Sequence, residues 1–374
     1  MTSTMTYARA RLWTGISGVG LWVVAGATLL TVGIPIDWFG DSAVFVRRDV
    51  VELALVALTC AAIALPFDVL GGYVLPRRFG RSEVDLGGFL WRLGRGVTVV
   101  VVLTTASATV LLQAGRSGGR AGALVAFALL AVALLTGQTR LARWVGGLRP
   151  SERADADDEA VVLAAEDTGF TGGLSGWSGR SVVPARWFEV LDASERELLG
   201  HRRRAIVASG AWRRTWVLAL GWNLTGFGLA SLVPGAGVAT VRELVTTLLG
   251  FTLWTFVGLL VLPAVSRAAT YAADRQVANA DSVRDRLIGA LARLDRLQDD
   301  EPERSAALES VFHPVSSLSN RRAALASGAG RRPFAWHLAR TSLILAHVGL
   351  SPLPRAVHCN AGRPELWLHL PADG

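Results

Sequence analysis

The sequence predicts a mainly α fold: a polytopic membrane helical bundle of six spans with a small α+β region on its cytoplasmic side. Three observations carry this. Apolar residues make up 51% of the 374 and charged residues only 18%, whereas a soluble domain carries about a quarter charged. Mean hydropathy is +0.39. Six stretches reach the roughly 20 mostly apolar residues that crossing a bilayer takes, and the arginines gather in the loops of one side.

The first span runs from Leu12 to Ile36. It lacks a small-residue cleavage site with a polar start behind it, so it reads as an anchor. The second begins near Val50 and continues through Pro66 and Asp68 towards Leu75. The third and fourth lie between Arg95 and Arg116 and between Arg120 and Arg140. The fifth and sixth are Thr215–Val241 and Leu244–Ser266. Glycine and proline are tolerated inside such spans because neighbouring helices satisfy freed backbone groups.

Charge sets the orientation. One set of loops holds Arg9 and Arg11, the five arginines of 76–95, and everything from 140 to 214. The other holds only Arg47, Arg48, Arg116, Arg120 and Arg242. The arginine-rich set belongs in the cytoplasm, with both termini, below a bacterial-type plasma membrane. In residues 1–150 fourteen arginines stand against seven acids; in the remainder twenty-four stand against twenty-three. The basic excess therefore sits at the bilayer, which makes anionic lipid headgroups its partner and excludes nucleic acid. Asp68 and Glu52 flank the second span, and intramembrane acids are functional candidates. Asp68 is expected to pair with the Arg77–Arg78 end, a transport role being the alternative. Two cysteines cannot make a disulfide scaffold; Cys60 reads as a small buried thiol.

The polar parts complete three regions: four spans in 1–150, a second region over 151–330 holding the last two spans, and a tail over 331–374. Residues 151–167 read as an acidic linker. The glycines around Leu174 and Trp177, then Ser181-Val182-Val183, predict a short β-hairpin. Asp192 or Ser194 caps a helix carrying Leu198, Leu199, Ile206 and Val207 and ending near Gly210. The sixth span continues as helix through 266–280. Residues 281–298 are amphipathic, with Leu287, Ile288, Leu291 and Leu294 at helical spacing. Phe334–Leu353 reads as a packed or interfacial helix. Behind it, RAVHCNAGRPELWLHL reads as two strand-like runs about an Asn-Ala-Gly turn.

The order of these parts matters. A hairpin precedes Asp192-Ala-Ser-Glu-Arg-Glu-Leu-Leu-Gly-His201, two spans follow, then Ser266-Arg-Ala-Ala-Thr-Tyr-Ala-Ala-Asp274-Arg275, and finally Phe312-His313-Pro314 with Arg321. Over about residues 165–325 this resembles the membrane zinc metallopeptidases that include the CAAX prenyl endopeptidases and HtpX-type heat-shock proteases. The Ser-Arg…Tyr-x-Ala-Asp-Arg stretch is the most specific piece. The resemblance implies a gluzincin-like cleft. In it, two His at i and i+4 and a later Glu hold zinc, and a Glu beside the first His is general base.

Placed on that pattern, His201 is the first ligand position, Arg202 the base, Ala205 the second ligand and Thr270 the third. A guanidinium cannot take a proton from water. The resemblance thus implies a degenerate member: no metal, no catalytic residue, and a cleft that retains His201, Asp274, His313 and Arg321. Asp274 would orient His201, or else pair with Arg267 or Arg275. Such a protein would bind a membrane-protein segment, peptide or partner protease. The alternatives are an active metalloendopeptidase with zinc on non-standard ligands, and a transporter-like or scaffolding protein. The tail histidines His337, His347, His358 and His369, with Cys359, lack zinc-site spacing.

Overall fold

The computed structural model describes residues 5–34, 38–39, 47–151, 160–278, 280–298, 300–301, 303–304, 309, 313, 315–327 and 333–369. Ile36 at the end of the first span, the acidic run 152–159, Phe312 and Pro314 lie outside the described residues. In chain order the helices are α1 (Tyr7–Val32), α2 (Arg47–Val69), α3 (Leu75–Arg78), α4 (Leu86–Gly146), α5 (Trp187–Val190), α6 (Ala193–Ala208), α7 (Ala211–Ala230), α8 (Val241–Val277), α9 (Asp281–Gln298), α10 (Leu318–Ala326), α11 (Leu338–Leu345) and α12 (Leu353–Ala356). Among the described residues, α1, α2 with its continuation to Arg78, α4 and α8 are long and apolar enough to cross a membrane. The protein is an integral membrane protein.

The chain forms two compact units. The first comprises Met1–Leu135, Leu220–Gly258 and Ser342–Trp367, and the second Thr136–Ala219, Leu259–Thr341 and Leu368–Gly374.

In the first unit α4 breaks at Gly119, whose φ of 59° is open to glycine at little cost. The break falls between Arg116 and Arg120, where the sequence separates two spans. A Cβ at Gly122 would collide with the Ala114 carbonyl, so glycine lets the two limbs approach closely. Arg116 anchors this end, donating to Asp49 at 2.8 Å and to the Ala239 carbonyl at 2.8 Å. Between α2 and α3 the helix widens into one π-turn, Leu70–Val74. Side chains at Gly71 and Gly72 would strike the backbone of Ala361 and Gly362. The Gly-Gly pair is thus explained by the tail packing directly on the span.

That tail is packed, as its apolar pattern predicts, and it corrects two expectations. Asp68 does form an ion pair, but with Arg355 at 2.5 Å rather than with Arg77 or Arg78, and it also accepts the Gly362 N–H at 2.8 Å. No strand flanks the Asn-Ala-Gly turn among the described residues. The backbone closes local turns, α12 and a 3₁₀ turn at Pro364–Leu366, and the Gly362 N–H and the His358 carbonyl bond to the spans. Arg11 donates to the His358 carbonyl at 2.6 Å and Arg92 to Glu365 at 3.2 Å. In hydrocarbon each such group left unpartnered would cost several kcal/mol.

The second unit carries a four-stranded sheet in the order β1-β2-β4-β3, with β1 Arg149–Pro150, β2 Ala160–Ala164, β3 Gly173–Ser175 and β4 Arg180–Pro184. The expected hairpin is β3–β4, antiparallel with Leu174 opposite Ser181. The linker reading fails over its last part. Ala160-Val-Val-Leu-Ala164 is apolar and β-branched, and it pairs parallel to β4, with Val162 opposite Val183. Asp192 caps α6 as expected: its carboxylate accepts the Glu195 N–H at 2.9 Å while Glu195 reaches back to the Asp192 N–H, a capping box. The apolar face of α9, through Leu287, Ile288, Leu291 and Leu294, closes on Trp187, Leu191, Leu199 and Leu325. Each such side chain contributes about 1.5–3 kcal/mol on burial. This core fixes which face of α6 turns inward.

Candidate functional site

On α6 the buried positions are Glu195, Leu199, Arg202, Arg203 and Ile206. Leu199 and Ile206, two turns apart, lie on the inward stripe, and the 3.6-residue repeat places 202 and 203 between them. His201 falls outside it. Its side chain is 59% exposed, with Nε2 3.6 Å from the Glu197 carboxylate. His201 is therefore not a cleft residue, contrary to the sequence pattern. The inward face is carried by Arg202 and Arg203, and a run of four polar residues, His201-Arg202-Arg203-Arg204, gives no apolar contrast from which the sequence could set its phase. Ala205 is half-buried.

The inward stripe meets α8. Arg202, wholly buried, donates from Nε to Asp274 Oδ1 at 2.7 Å. Arg321 of α10 donates from Nε to Oδ2 at 2.7 Å and from Nη2 to Oδ1 at 2.9 Å. Burial alone would raise the Asp274 carboxyl; the Arg321 and then the Arg202 guanidinium outweigh it and hold it below the usual carboxylate range. Asp274 therefore neither orients His201 nor pairs with Arg267 or Arg275. The Arg202 guanidinium also lies 5.9 Å from the Trp336 ring centre. Thr270, buried one turn before Asp274, donates its hydroxyl to the Ser266 carbonyl at 3.1 Å.

Two organising residues, Arg203 and Glu309, stand outside the sequence pattern. Arg203 donates to Ser181 Oγ at 2.8 Å, to the Val182 carbonyl at 2.9 Å and to the Thr171 carbonyl at 3.2 Å, and its guanidinium stacks 4.6 Å from the Trp187 ring centre. It ties α6 to the hairpin. Three consecutive arginines inside a helix cannot all face water, which is the one hint the sequence held. Glu309 accepts from the Ser317 N–H and hydroxyl and from Asn320, at 3.2, 2.7 and 2.7 Å. It orders the segment that delivers Arg321. His313 is buried and its carbonyl accepts from Arg267 at 3.1 Å, a backbone role.

The side chains present do not fit zinc. Among the described residues no three of His, Cys, Asp and Glu come together as metal ligands. Beside Asp274 stand two guanidiniums, which have no lone pair to offer and repel a dication. Of the tail histidines, His347 and His358 belong to the first unit with Cys359, while His337 and His369 belong to the second.

His369 is buried with its ring edge-on to Phe170, at 5.4 Å between centroids. Burial first, and then the Arg203 charge, pushes its pKa down to about 4. Its unfolded value is near 6.5, so the imidazole is neutral in the fold and must charge to unfold in acid. Its stabilising contribution is complete above pH 6.5 and is lost as pH falls towards 4, by about 3 kcal/mol in all. Melting the wild type and His369→Gln between pH 7 and 4.5 should show the wild type losing more melting temperature on acidification. Parallel curves would contradict this.

No family model and no curated protein matches the sequence. The fold is similar to the crystal structure of S. mikatae Ste24p, a CAAX prenyl protease of the zinc metallopeptidase family. The TM-score is 0.61 at 13% identity, covering 82% of this chain and 80% of that one.

Proposed function

We propose that this membrane protein keeps the metallopeptidase fold without its chemistry and acts by binding a peptide or membrane-protein segment. The observation that carries the reading is the Arg202–Asp274–Arg321 cluster at the floor of the α6–α8 contact. In the sequence frame the ligand and base positions hold His201, Arg202, Ala205 and Thr270. In the frame of the buried face they hold Arg202, Arg203, Ile206 and Thr270. Neither frame supplies a base that can take a proton from water, nor a set of metal ligands.

The break of α4 at Gly119 and the 20-residue α7 support six spans. The arginine-rich loops then lie in the cytoplasm with both termini, under a plasma membrane. Lipid and a protein segment are the partners; nucleic acid is not.

Purified full-length protein, incubated in mild detergent with a quenched fluorescent peptide pool and added zinc, should show no hydrolysis. Turnover abolished by a zinc chelator would sink the proposal and favour an active site with other ligands.

A further inference from the structure

In the second unit two apolar stretches end on arginine. Arg140 and Arg143 follow the uncharged stretch 121–139, and Arg213 and Arg214 precede the uncharged stretch 215–241. Local contacts join these two ends through the β3–β4 hairpin. Thr139 of α4 shares a hydrogen bond of 2.6 Å with Ser175 of β3. Two residues on, the turn of the hairpin carries Trp177, which lies edge-on to Trp216 of α7 at 5.6 Å between ring centres. The same turn is held at Gly176, whose carbonyl accepts from Trp212 Nε1 at 2.8 Å. The inference drawn from this seam rests on α7 as a membrane span, the reading proposed above.

The exposed side of the seam changes character within one helical turn. Arg213 and Val217 share a face of α7, as do Arg214 and Leu218, and all four are exposed. Charge is thus followed directly by apolar residues turned outward. Trp177 is 48% exposed and Trp144, one turn after Arg140, is 62% exposed. Exposed tryptophan where charge gives way to apolar surface is the signature of the layer between headgroups and hydrocarbon. The Arg213 guanidinium lies over the Trp177 ring, 5.9 Å from its centre, a contact that spends no N–H donor. Arg143 follows Thr139 by one turn and extends from the face of α4 that meets β3. Among the described residues no carboxylate pairs with Arg140, Arg143 or Arg213, whereas Arg214 spends its donors on the Ser209, Pro333 and Phe334 carbonyls.

We propose that this seam binds the headgroup of an anionic phospholipid, with Arg213 and Arg143 donating to its phosphate and the acyl chains lying along Val217 and Leu218. Guanidiniums meet phosphate oxygens with paired N–H donors, and the hydrogen bonds are charge-assisted. With no acid paired to these arginines, the seam repels the choline or ethanolamine of a zwitterionic lipid and selects a net negative headgroup. The apolar residues one turn further along α7 favour a lipid over a free phosphate, which has nothing to place against them. Trp177, fixed by Trp216 and by the bond to Gly176, holds the hairpin turn at the same level.

Ser178, exposed beside Trp177 on the turn, takes the probe. Full-length Ser178→Cys in a Cys60→Ala, Cys359→Ser background, labelled with a small fluorophore, would be reconstituted in mixed vesicles of phosphatidylglycerol and phosphatidylcholine. One lipid at a time would be brominated near the headgroup end of its chains, and quenching read against its mole fraction. Phosphatidylglycerol should bind beside the probe at least about threefold more tightly than phosphatidylcholine. The preference should vanish in Arg143→Gln with Arg213→Gln, and be absent with the label on Leu21→Cys, an exposed position of α1. Millimolar glycerol 3-phosphate in the buffer should leave it unchanged. Equal quenching by the two lipids, a preference that survives the double variant, the same preference at position 21, or displacement by glycerol 3-phosphate would overturn the proposal, the last in favour of a soluble phosphate. Should the double variant fail to fold, the comparison of positions 178 and 21 with the arginines unaltered decides alone. No quenching at 178 by either lipid would place the turn away from the bilayer and sink the α7 span together with the site.

Discussion

Asp274→Asn is expected to cost more stability than any other single substitution in the second unit. The carboxylate accepts three charge-assisted hydrogen bonds from two guanidiniums, and all three side chains are at most 1% exposed. Asparagine has nearly the same shape, so little packing is lost. What is lost is the negative charge that Arg202 and Arg321 share, and a buried charge left uncompensated costs about 3–5 kcal/mol. The control is replacement of the whole cluster, Arg202→Met with Asp274→Leu and Arg321→Met. That removes the desolvation cost together with the attraction and should retain most of the parent's stability. Thermal melting in detergent reads both. An Asp274→Asn protein that melts with the parent would show that the cluster is not closed.

The second large effect is a gain of zinc. The buried face of α6 sets the frame in which a site can be rebuilt, and it differs by one residue from the frame the sequence suggests. Arg202→His, Arg203→Glu and Ile206→His with Thr270→Glu should place two imidazoles and two carboxylates on facing sides of α6 and α8. That is the His-Glu-x-x-His and later Glu arrangement with an open position for water. The sequence-frame set, His201 kept with Arg202→Glu, Ala205→His and Thr270→Glu, leaves His201 in solvent. Metal analysis should give close to one bound zinc per chain for the first set and none for the second. Uptake by the second set alone would mean that α6 is turned the other way. Arg203→Glu also removes the donors on Thr171 and Val182, so the hairpin is expected to loosen in the rebuilt protein.

Elements set by local pattern were legible. The break between Arg116 and Arg120, the Asp192 cap, the β3–β4 hairpin and the face of α9 follow from glycine, capping chemistry and periodicity within a few residues of one another. The site was legible in part. Asp274 and Arg321 were singled out, and they do meet. Their companion is Arg202 rather than His201, because phase within His201–Arg204 is set only by Leu199 and Ile206, seven residues apart. Long-range partners left no local trace. Asp68 and Arg355 are 287 positions apart, and nearby Arg77 and Arg78 were the more obvious choice. Strand-like runs around Asn360 were misleading for the same reason. A backbone packed against spans satisfies its groups without a sheet, and hydrophobicity alone does not distinguish the two.

The proposed function rests on a buried arginine–aspartate–arginine cluster, Arg202–Asp274–Arg321, in a fold similar to that of Ste24p. Zinc content of the unmodified full-length protein, purified in mild detergent and equilibrated with a small excess of zinc before desalting, tests this most directly. No stoichiometric metal is expected, and the same trace level in His201→Ala. About one zinc per chain that survives desalting and is lost in His201→Ala or Asp274→Asn would contradict it.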